Sequence, residues 1–489
     1  MGTRTGDDLG LSLVEVGNFL RATRDSGYRS AATAVSEFVD NSIQAGAELV
    51  EVHVTRGDCA EYPVEIVVAD DGTGMSAADL SSALAFGGSS RFDDRSSLGR
   101  YGMGLPNAAL SLARRVEVFS WQCTGGTYLS TLDLDEIAAA DDNRLVLPSK
   151  VERPRLSGSG PHGTVIHLRR CDRLGYRRPS TIAKKLLESF SRTYRHFLRR
   201  GLAISVNGEP LSPVDPLFLE TGGEPSAMVF GEPLRYHLST DTGRGTVEVL
   251  FSELPVEAWC DLPAQEKRRL GITNTANVAI VRADREVDSG WWFMGNKRRQ
   301  NYDDWWRCEI RFDPVLDELF GITHTKQQIT PSPYLRDLLS KDLEPIANAL
   351  NARVRRRFEL ARTRGPLADA ARTAALCARS LPPLRGGPSA SPAYQIDVGQ
   401  IVGTPAFTLE AVGQDISVVL NERHPLYRDV LRPLAESATP ADHRTAKRVG
   451  LVLLAMARAE AAADPMSGRD EAEWFRREWS DVAATFLNA

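Results

Sequence analysis

Apolar residues along the first third of the chain follow two different periods. Val35, Phe38, Val39 and Ile43 recur three and four positions apart and predict a helix over 30–45. Val50, Val52 and Val54 alternate with polar residues, as do Ile66 and Val68, and Val116 and Val118, which predicts strands. Residues 127–133 and 164–168 are further strand candidates, and helices at 77–86 and 105–114 fall between the strands. A helix followed by strands with helices between them predicts an α+β sandwich built on one layered sheet.

Pro179-Ser180 opens a predicted helix over 179–198, with Ile182, Leu186, Leu187, Phe190, Tyr194 and Phe197 as its apolar stripe and Ser180 or Thr181 as its cap. A second strand-rich region is expected from Leu202, turning at Asn207-Gly208 and continuing through 246–251 and 278–282. A helix from Pro333 to Arg362 closes it. The run SLPPLRGGPSASP at 380–392 reads as a linker. Beyond it one or two strands (416–420) and helices near 440–463 and 468–487 are predicted. These shifts divide the chain into 1–200, 201–365, a linker region 366–395 and an α-rich unit 396–489, without internal repeats.

The 489 residues are enough for several domains with a sizeable core. A net charge of -5 gives no global pull toward nucleic acid. The six cysteines form no C-x-x-C pair, which argues against a disulfide framework or zinc site and for reduced thiols in a cytoplasmic protein. The N-terminal residues lack a signal-like apolar run. The most apolar helical stretch, 449–456, is far short of the about 20 residues a bilayer requires, so no membrane association is expected.

Short polar segments sit at the ends of the predicted elements. Glu37 and Asn41 are four positions apart on a helix, so both side chains leave from one face. A carboxamide oxygen suits Mg²⁺, and a carboxylate beside it can orient and deprotonate a water; a solvated helix face is the plain alternative. Asp70 ends a strand, and Asp71-Gly72-Thr73-Gly74-Met75 turns the chain. A carboxylate there can accept the exocyclic amine of adenine, a donor guanine lacks at that place. The two glycines let backbone approach a base closely; an ordinary turn is the alternative. Gly99, Gly102 and Gly104 precede a helix, where free N–H groups and the helix dipole favour an anion. Phe86-Gly87-Gly88-Ser89-Ser90-Arg91 is polar and Gly-rich, fit either for a lid over a ligand or for a plain surface loop. Asn107 breaks a Rossmann pattern, and no G-x-x-x-x-G-K-[ST] occurs, which excludes a P-loop.

In this order EFVDN (37–41), DDGTGM (70–75), GRYGMG (99–104) and Gly163-Thr164 resemble the Bergerat-type ATP site of the GHKL superfamily, which includes gyrase B subunits, MutL, MORC proteins, the large heat-shock chaperone and histidine kinases. The resemblance implies a Mg²⁺-dependent ATP hydrolase in which Glu37 is the general base, Asn41 the Mg²⁺ ligand and Asp70 the adenine reader, with Thr164 supporting the adenine side. Gly72, Gly74, Met75, Ser89, Ser90, Gly99, Tyr101, Gly102, Met103 and Gly104 would complete the ATP pocket and a lid spanning 76–104. The lid text is most similar to those of MORC-type and MutL-type proteins. These follow the ATPase domain with a transducer domain of ribosomal-protein-S-five-like fold, which VNGEPL (206–211) and VAIVRADREV (278–287) resemble. Lys326 in HTKQQ (324–328) matches the lysine that such a domain sends to the γ-phosphate. The implied fold class is α+β: a Bergerat ATPase α/β sandwich, a transducer domain and a small, mostly helical C-terminal domain for dimerisation or partner docking. The histidine-kinase branch is disfavoured, because its phospho-accepting histidine precedes the ATPase domain and the first histidine here is His53.

The resemblance further implies an ATP-dependent homodimer whose closure acts as a clamp or switch on DNA, or on a nuclease or helicase partner, in bacterial anti-phage defence or DNA processing. A chaperone-like protein remodeller and an ATP-regulated scaffold without DNA are the alternatives. Two features bear on DNA. The segment WWFMGNKRRQNYDDWWR (291–307) interleaves aromatics with Lys297-Arg298-Arg299 and can grip nucleic acid by stacking; a packed loop or dimer contact is the plainer reading. Arg192, Arg195, Arg199 and Arg200, then Arg353, Arg355, Arg356 and Arg357, make two helices basic. Such runs bind phosphates or form solvated faces.

Overall fold

The computed structural model describes residues 16–25, 27–86, 103–139, 146–154, 160–220, 226–273, 275, 277–322, 328–384, 392–463 and 469–488. Three sheets follow one another along the chain, each with its own helices. The first unit comprises α1 (Val16–Asp25), α2 (Ala31–Gln44), β1 (Leu49–Arg56), β2 (Val64–Asp70), α3 (Ala77–Ala83), α4 (Gly104–Leu112), β3 (Ala113–Trp121), β4 (Thr127–Asp133), α5 (Leu134–Ala139), β5 (Ser149–Val151), β6 (Gly163–Cys171), α6 (Pro179–Thr193), α7 (Arg195–Arg199), β7 (Ala203–Val206) and β8 (Glu209–Pro210). Its strands run in the order β5-β4-β3-β6-β2-β1-β7-β8. Val35, Phe38 and Val39 of α2 join Val52, Ile66, Val116 and Ile166 of the sheet, with Leu110 of α4 and Leu186 of α6, in one core. This is the helix-on-sheet sandwich that the apolar periods predict.

Local chemistry sets the ends of these elements. Ser30 and Thr33 form a reciprocal capping box at the start of α2. At α6 the expected Ser180 or Thr181 cap is not used: Arg178 is the N-cap residue and makes no side-chain capping bond, and Pro179 occupies the first turn. A proline's fixed φ and missing N–H suit that position. The strand at 203–206, expected to open the second region, instead pairs in parallel with β1 and continues the first sheet. Asn207 explains this placement. It adopts φ +50 in a tight turn with Gly208, and its carboxamide accepts from Val54 N at 2.7 Å and donates to Val54 O at 3.2 Å. The first sheet therefore extends past residue 200 to Pro210.

The second unit holds β9 (Met228–Val229), β10 (Leu234–Thr240), β11 (Gly243–Glu253), α8 (Val256–Trp259), α9 (Ala264–Arg269), β12 (Val278–Arg282), β13 (Arg285–Gly290), β14 (Trp306–Phe312), α10 (Asp317–Phe320) and α11 (Pro333–Arg362). The order is β10-β11-β14-β12-β13, with β9 beside β11 and β12 parallel to β14. Leu335, Leu339, Leu343, Ala347 and Leu350 give α11 a fully buried stripe against this sheet.

The tryptophans of the Trp-rich segment are packed inward, Trp291, Trp292 and Trp306 on that core and Trp305 on a neighbouring cluster, while Arg298 and Arg299 stay exposed. Lys297 is buried, ion-paired with Asp303, and lies 5.1 Å from the Trp291 ring centroid. Trp306 donates to Asn351 Oδ1 of α11 at 2.9 Å, and Trp305 packs edge-on against Phe358 of the same helix. Part of the charge on both basic helices is answered within the fold, while Arg355 and Arg356 are exposed. Arg195 pairs with Glu286 and Glu309, and Arg199 with Glu220. Arg357 pairs with Glu253 and Glu257. Arg353 spans Glu253 of the second sheet and Asp415 of the third.

The third unit contains α12 (Pro366–Cys377), β15 (Tyr394–Gly399), β16 (Phe407–Val412), β17 (Asp415–Asn421), α13 (Arg432–Glu436), α14 (Pro440–Ala461) and α15 (Arg469–Leu487). It is less helical than expected, because β15-β17-β16 form a sheet at its centre. The expected linker over 366–395 begins with α12, a packed helix. A Cβ on Gly450 of α14 would lie 3.0 Å from Ala370 Cβ, so the glycine lets the two helices approach closely. Among the described residues no helix is long and apolar enough to cross a membrane.

Candidate nucleotide site

The α2 face carrying Glu37 is not a solvated one. Glu37 is 2% exposed and Asp40 is fully buried, while Asn41 is half-buried. A buried carboxylate is costly unless it is answered by nearby polar groups. Tyr194 donates to Asp40 Oδ1 at 2.9 Å, and Arg285 Nε donates to the same oxygen at 2.8 Å. The start of α4 abuts Glu37 so closely that a Cβ on Gly104 would sit 2.9 Å from Glu37 Oε2. The glycine-rich segment, whose helix begins at Gly104, thus meets the E-x-x-x-N helix at that carboxylate.

The second segment is bonded to the same helix, and the fourth pairs with the second. Ser42 donates to Asp70 Oδ2 at 2.8 Å, and Gly72 N donates to Asp70 Oδ1 at 2.9 Å. Thr73 N donates to Ala45 O at 3.0 Å, just past the end of α2. Asp70 pairs in register with Thr164 across β2 and β6. Ser120 accepts from Met75 N at 2.8 Å and lies 3.0 Å from Thr164 Oγ1. Gly74 has φ +66, and a Cβ there would lie 1.9 Å from Trp121 O, so no other residue fits this turn. Glu37, Asn41, Asp70, Gly72, Gly74, Met75, Met103, Gly104 and Thr164 are therefore brought to one end of the sheet and the helices above it. Ser89, Ser90, Gly99, Tyr101, Gly102 and Lys326 lie outside the described residues.

Comparison with known proteins agrees with this geometry. Residues 28–164 match the family model of the histidine kinase-, DNA gyrase B-, and HSP90-like ATPases. The DNA mismatch repair protein MutL of Sphingopyxis alaskensis is 40% identical over 88 residues, covering 17% of this chain and 14% of that protein. MutL of Halobacterium salinarum is 42% identical over 80 residues, covering 16% and 12%. MutL of Rhodopseudomonas palustris is 37% identical over 93 residues, covering 17% and 15%. Residues 28–164 are a GHKL-type, MutL-like ATPase domain. The matched stretch is about a seventh of the length of these curated relatives.

Within this ATPase domain, several polar residues that the sequence motifs do not single out complete the site. Ser42, one position past Asn41, fixes Asp70. Ser120 fixes the turn after it, and His162 Nδ1 lies 2.8 Å from both Asp71 O and Gly72 O. Asp71 is taken up by structure, accepting from Glu48 N and Leu49 N at 2.9 Å each. Only the spacing of Ser42 on the Glu37 helix could have drawn attention beforehand. Burial pushes the Asp70 carboxyl above its usual range, and the bonds from Ser42 and Gly72 pull it partly back. Among the described residues no group of three or more His, Cys, Asp or Glu side chains is placed to hold a metal. Mg²⁺ keeps waters and binds through phosphate oxygens plus one or two protein oxygens. A side-chain oxygen at Asn41 fits this donor set.

The ionised Asp70 is the form that accepts two hydrogen bonds here and has lone pairs left for a ligand amine. Asp70→Ala is expected to abolish adenine-nucleotide binding in calorimetry, and wild-type affinity would remove Asp70 from the pocket. In the wild-type chain, affinity should fall on acidification from a higher pH than an ordinary aspartate would set, because the raised pKa loses the carboxylate form earlier.

Proposed function

We propose that the chain is a Mg²⁺-dependent ATP hydrolase whose nucleotide cycle closes and releases a homodimer. The observation that carries this reading is that Glu37 is buried against the start of α4 while Ser42 of the same helix bonds Asp70 at the end of β2. Asp70 reads the adenine amine, and the turn through Gly72 and Gly74 lies against the base. The α4 start, led by Gly99, Gly102 and Gly104, receives the phosphates on backbone N–H groups. Glu37 orients and deprotonates the attacking water, and Asn41 supplies an oxygen to Mg²⁺. Bound Mg²⁺ neutralises charge on the phosphates. Ser89, Ser90, Tyr101 and Met103 belong to the lid and its hinge.

The second unit acts as the transducer, of ribosomal-protein-S-five-like fold, and the third as the dimerisation or docking module. Lys326 reaches the γ-phosphate from the second unit and ties nucleotide state to the angle between units. The similarity to MutL, named for DNA mismatch repair, favours a clamp on DNA or on a nuclease or helicase partner, in defence or DNA processing. Exposed arginines that remain for such a contact include Arg355 and Arg356 of α11. The chaperone-like remodeller has no specific observation in its favour.

Glu37→Gln is expected to bind ATP normally and to lose about 10²–10⁴-fold in turnover; unchanged turnover would remove Glu37 as the base. Lys326→Ala should lower turnover more than nucleotide affinity in paired kinetic and calorimetric measurements, and normal turnover would place the cross-domain lysine elsewhere. Light scattering with and without a non-hydrolysable ATP analogue should show a monomer becoming a dimer. Repeating it with DNA should show retention that fades steeply with salt. A size indifferent to nucleotide would rule out closure.

A further inference from the structure

The turn between β12 and β13 enters the first unit and meets it through three consecutive charged residues. Ala283 and Asp284 both have positive φ, at +45 and +67, which makes the turn a tight two-residue hairpin. At its tip Asp284 pairs with Arg200. Arg285 bonds Asp40 of α2 at 2.8 Å. Glu286 pairs with Arg192 at 2.6 Å and Arg195 at 2.5 Å. Asp284 and Glu286 therefore hold α6, α7 and the turn after them, and Arg285 between them holds α2.

The central contact is the most enclosed. Arg285 is 4% exposed, Asp40 is fully buried, and the buried Tyr194 hydroxyl bonds Asp40 Oδ1 and Ser36 O at 2.9 Å. Burial opposes the charge on Arg285, but Asp40, Tyr194 and Glu37 outweigh it and hold the guanidinium protonated. Glu37 is thus within the electrostatic reach of Arg285. A second link joins the same units where Arg29, just before α2, bonds Gln328. Ile329 N in turn bonds Asp288 Oδ2 of β13 at 3.1 Å.

We propose that Arg285 is a positioning residue for the hydrolytic helix: through Asp40 it makes the setting of Glu37 and Asn41 depend on where the second unit stands. This rests on the reading of Glu37 and Asn41 as the hydrolytic pair. Asp40 lies between them, three residues after one and one before the other, on a single helix with a buried apolar stripe. A rotation of the hairpin tip that strains the Arg285–Asp40 bond therefore tilts both groups together. A misplacement of about 1 Å at reacting groups is enough to cost about 10²-fold in rate. The contact lets the second unit gate hydrolysis without touching ATP, and it is separate from the lysine proposed to reach the phosphate.

The test compares full-length wild type with Arg285→Met, Arg285→Lys and Asp40→Asn. Titration with a non-hydrolysable ATP analogue gives Kd and the number of competent sites, and turnover is expressed per competent site. Arg285→Met is expected to keep Kd within about threefold and to lose at least about tenfold in turnover, with Arg285→Lys recovering part of the loss. Combining Arg285→Met with Asp40→Asn should add little beyond the slower single variant, because both remove one interaction. Should Arg285→Met fail to fold, Arg285→Lys, which keeps the charge and loses the fork geometry, answers the same question. Turnover per competent site within about twofold of wild type in these variants would overturn the proposal and leave Arg285 a structural residue. Hydrogen exchange of the nucleotide-free chain supplies a readout independent of catalysis. The amides of 31–44 should lose protection in Arg285→Met relative to those of 104–112, and unchanged protection would overturn the link. A wild type that binds no nucleotide would sink the proposed function, and the exchange result would then decide the coupling.

Discussion

The structure depends on the burial of a charged helix face. On α2, Glu37 and Asp40 point into the protein where a soluble helix would normally turn its carboxylates to water. Their enclosure demands partners that α2 cannot supply; for Asp40 these come from far along the chain, Tyr194 from the end of α6 and Arg285 from the second unit, while the start of α4 packs against Glu37. Removing one partner of such a pair leaves a buried charge uncompensated, which typically costs about 3–5 kcal/mol. The approach of three separate pieces of the chain is thus fixed by one helix, and the candidate nucleotide pocket lies where they meet.

A second ion-paired layer makes the first and second units mechanically continuous. Arg195 is fully buried between Glu286 and Glu309. Burial opposes charge on Glu309, yet His196, Arg195 and Arg311 hold its carboxyl well below the usual range. Ion pairs of this kind contribute modestly to net stability, but they are strict about geometry. An interface made of them has few acceptable arrangements, which suits a joint that must adopt defined positions.

Much of the first unit was legible because its signals are local. The alternation at Val50, Val52 and Val54 and the stripe at Val35, Phe38 and Val39 each need only a few neighbours to be read. The four candidate segments stood out because glycine and aspartate fall at element ends in a fixed order, a pattern that is also read from few neighbours. What was hidden depends on contacts distant in sequence. Strand 203–206 looked like the start of a new region, and only its parallel pairing with β1 and the Asn207 carboxamide on Val54 assign it to the old one. The α12 helix was concealed by its alanines, a weak apolar signal that matters because Gly450 lets another helix lie against them. Lys297 could be read as a phosphate contact or as part of a packed loop; Asp303 and two indole rings of the same segment enclose it, a burial that composition alone does not reveal. The roles of Ser42, Ser120 and Tyr194 were hidden for the same reason, since each is a common residue given its task by a partner on another element.

The place of β7 in the first sheet bears on where the protein can be cut. Ending the chain after α6 would strip a strand from β1 and bare a row of unpaired amide and carbonyl groups beside Val50 and Val52. Such an open border invites pairing with another molecule. The first unit, divided at the border its sequence advertises, would then be prone to self-association that has nothing to do with any ligand.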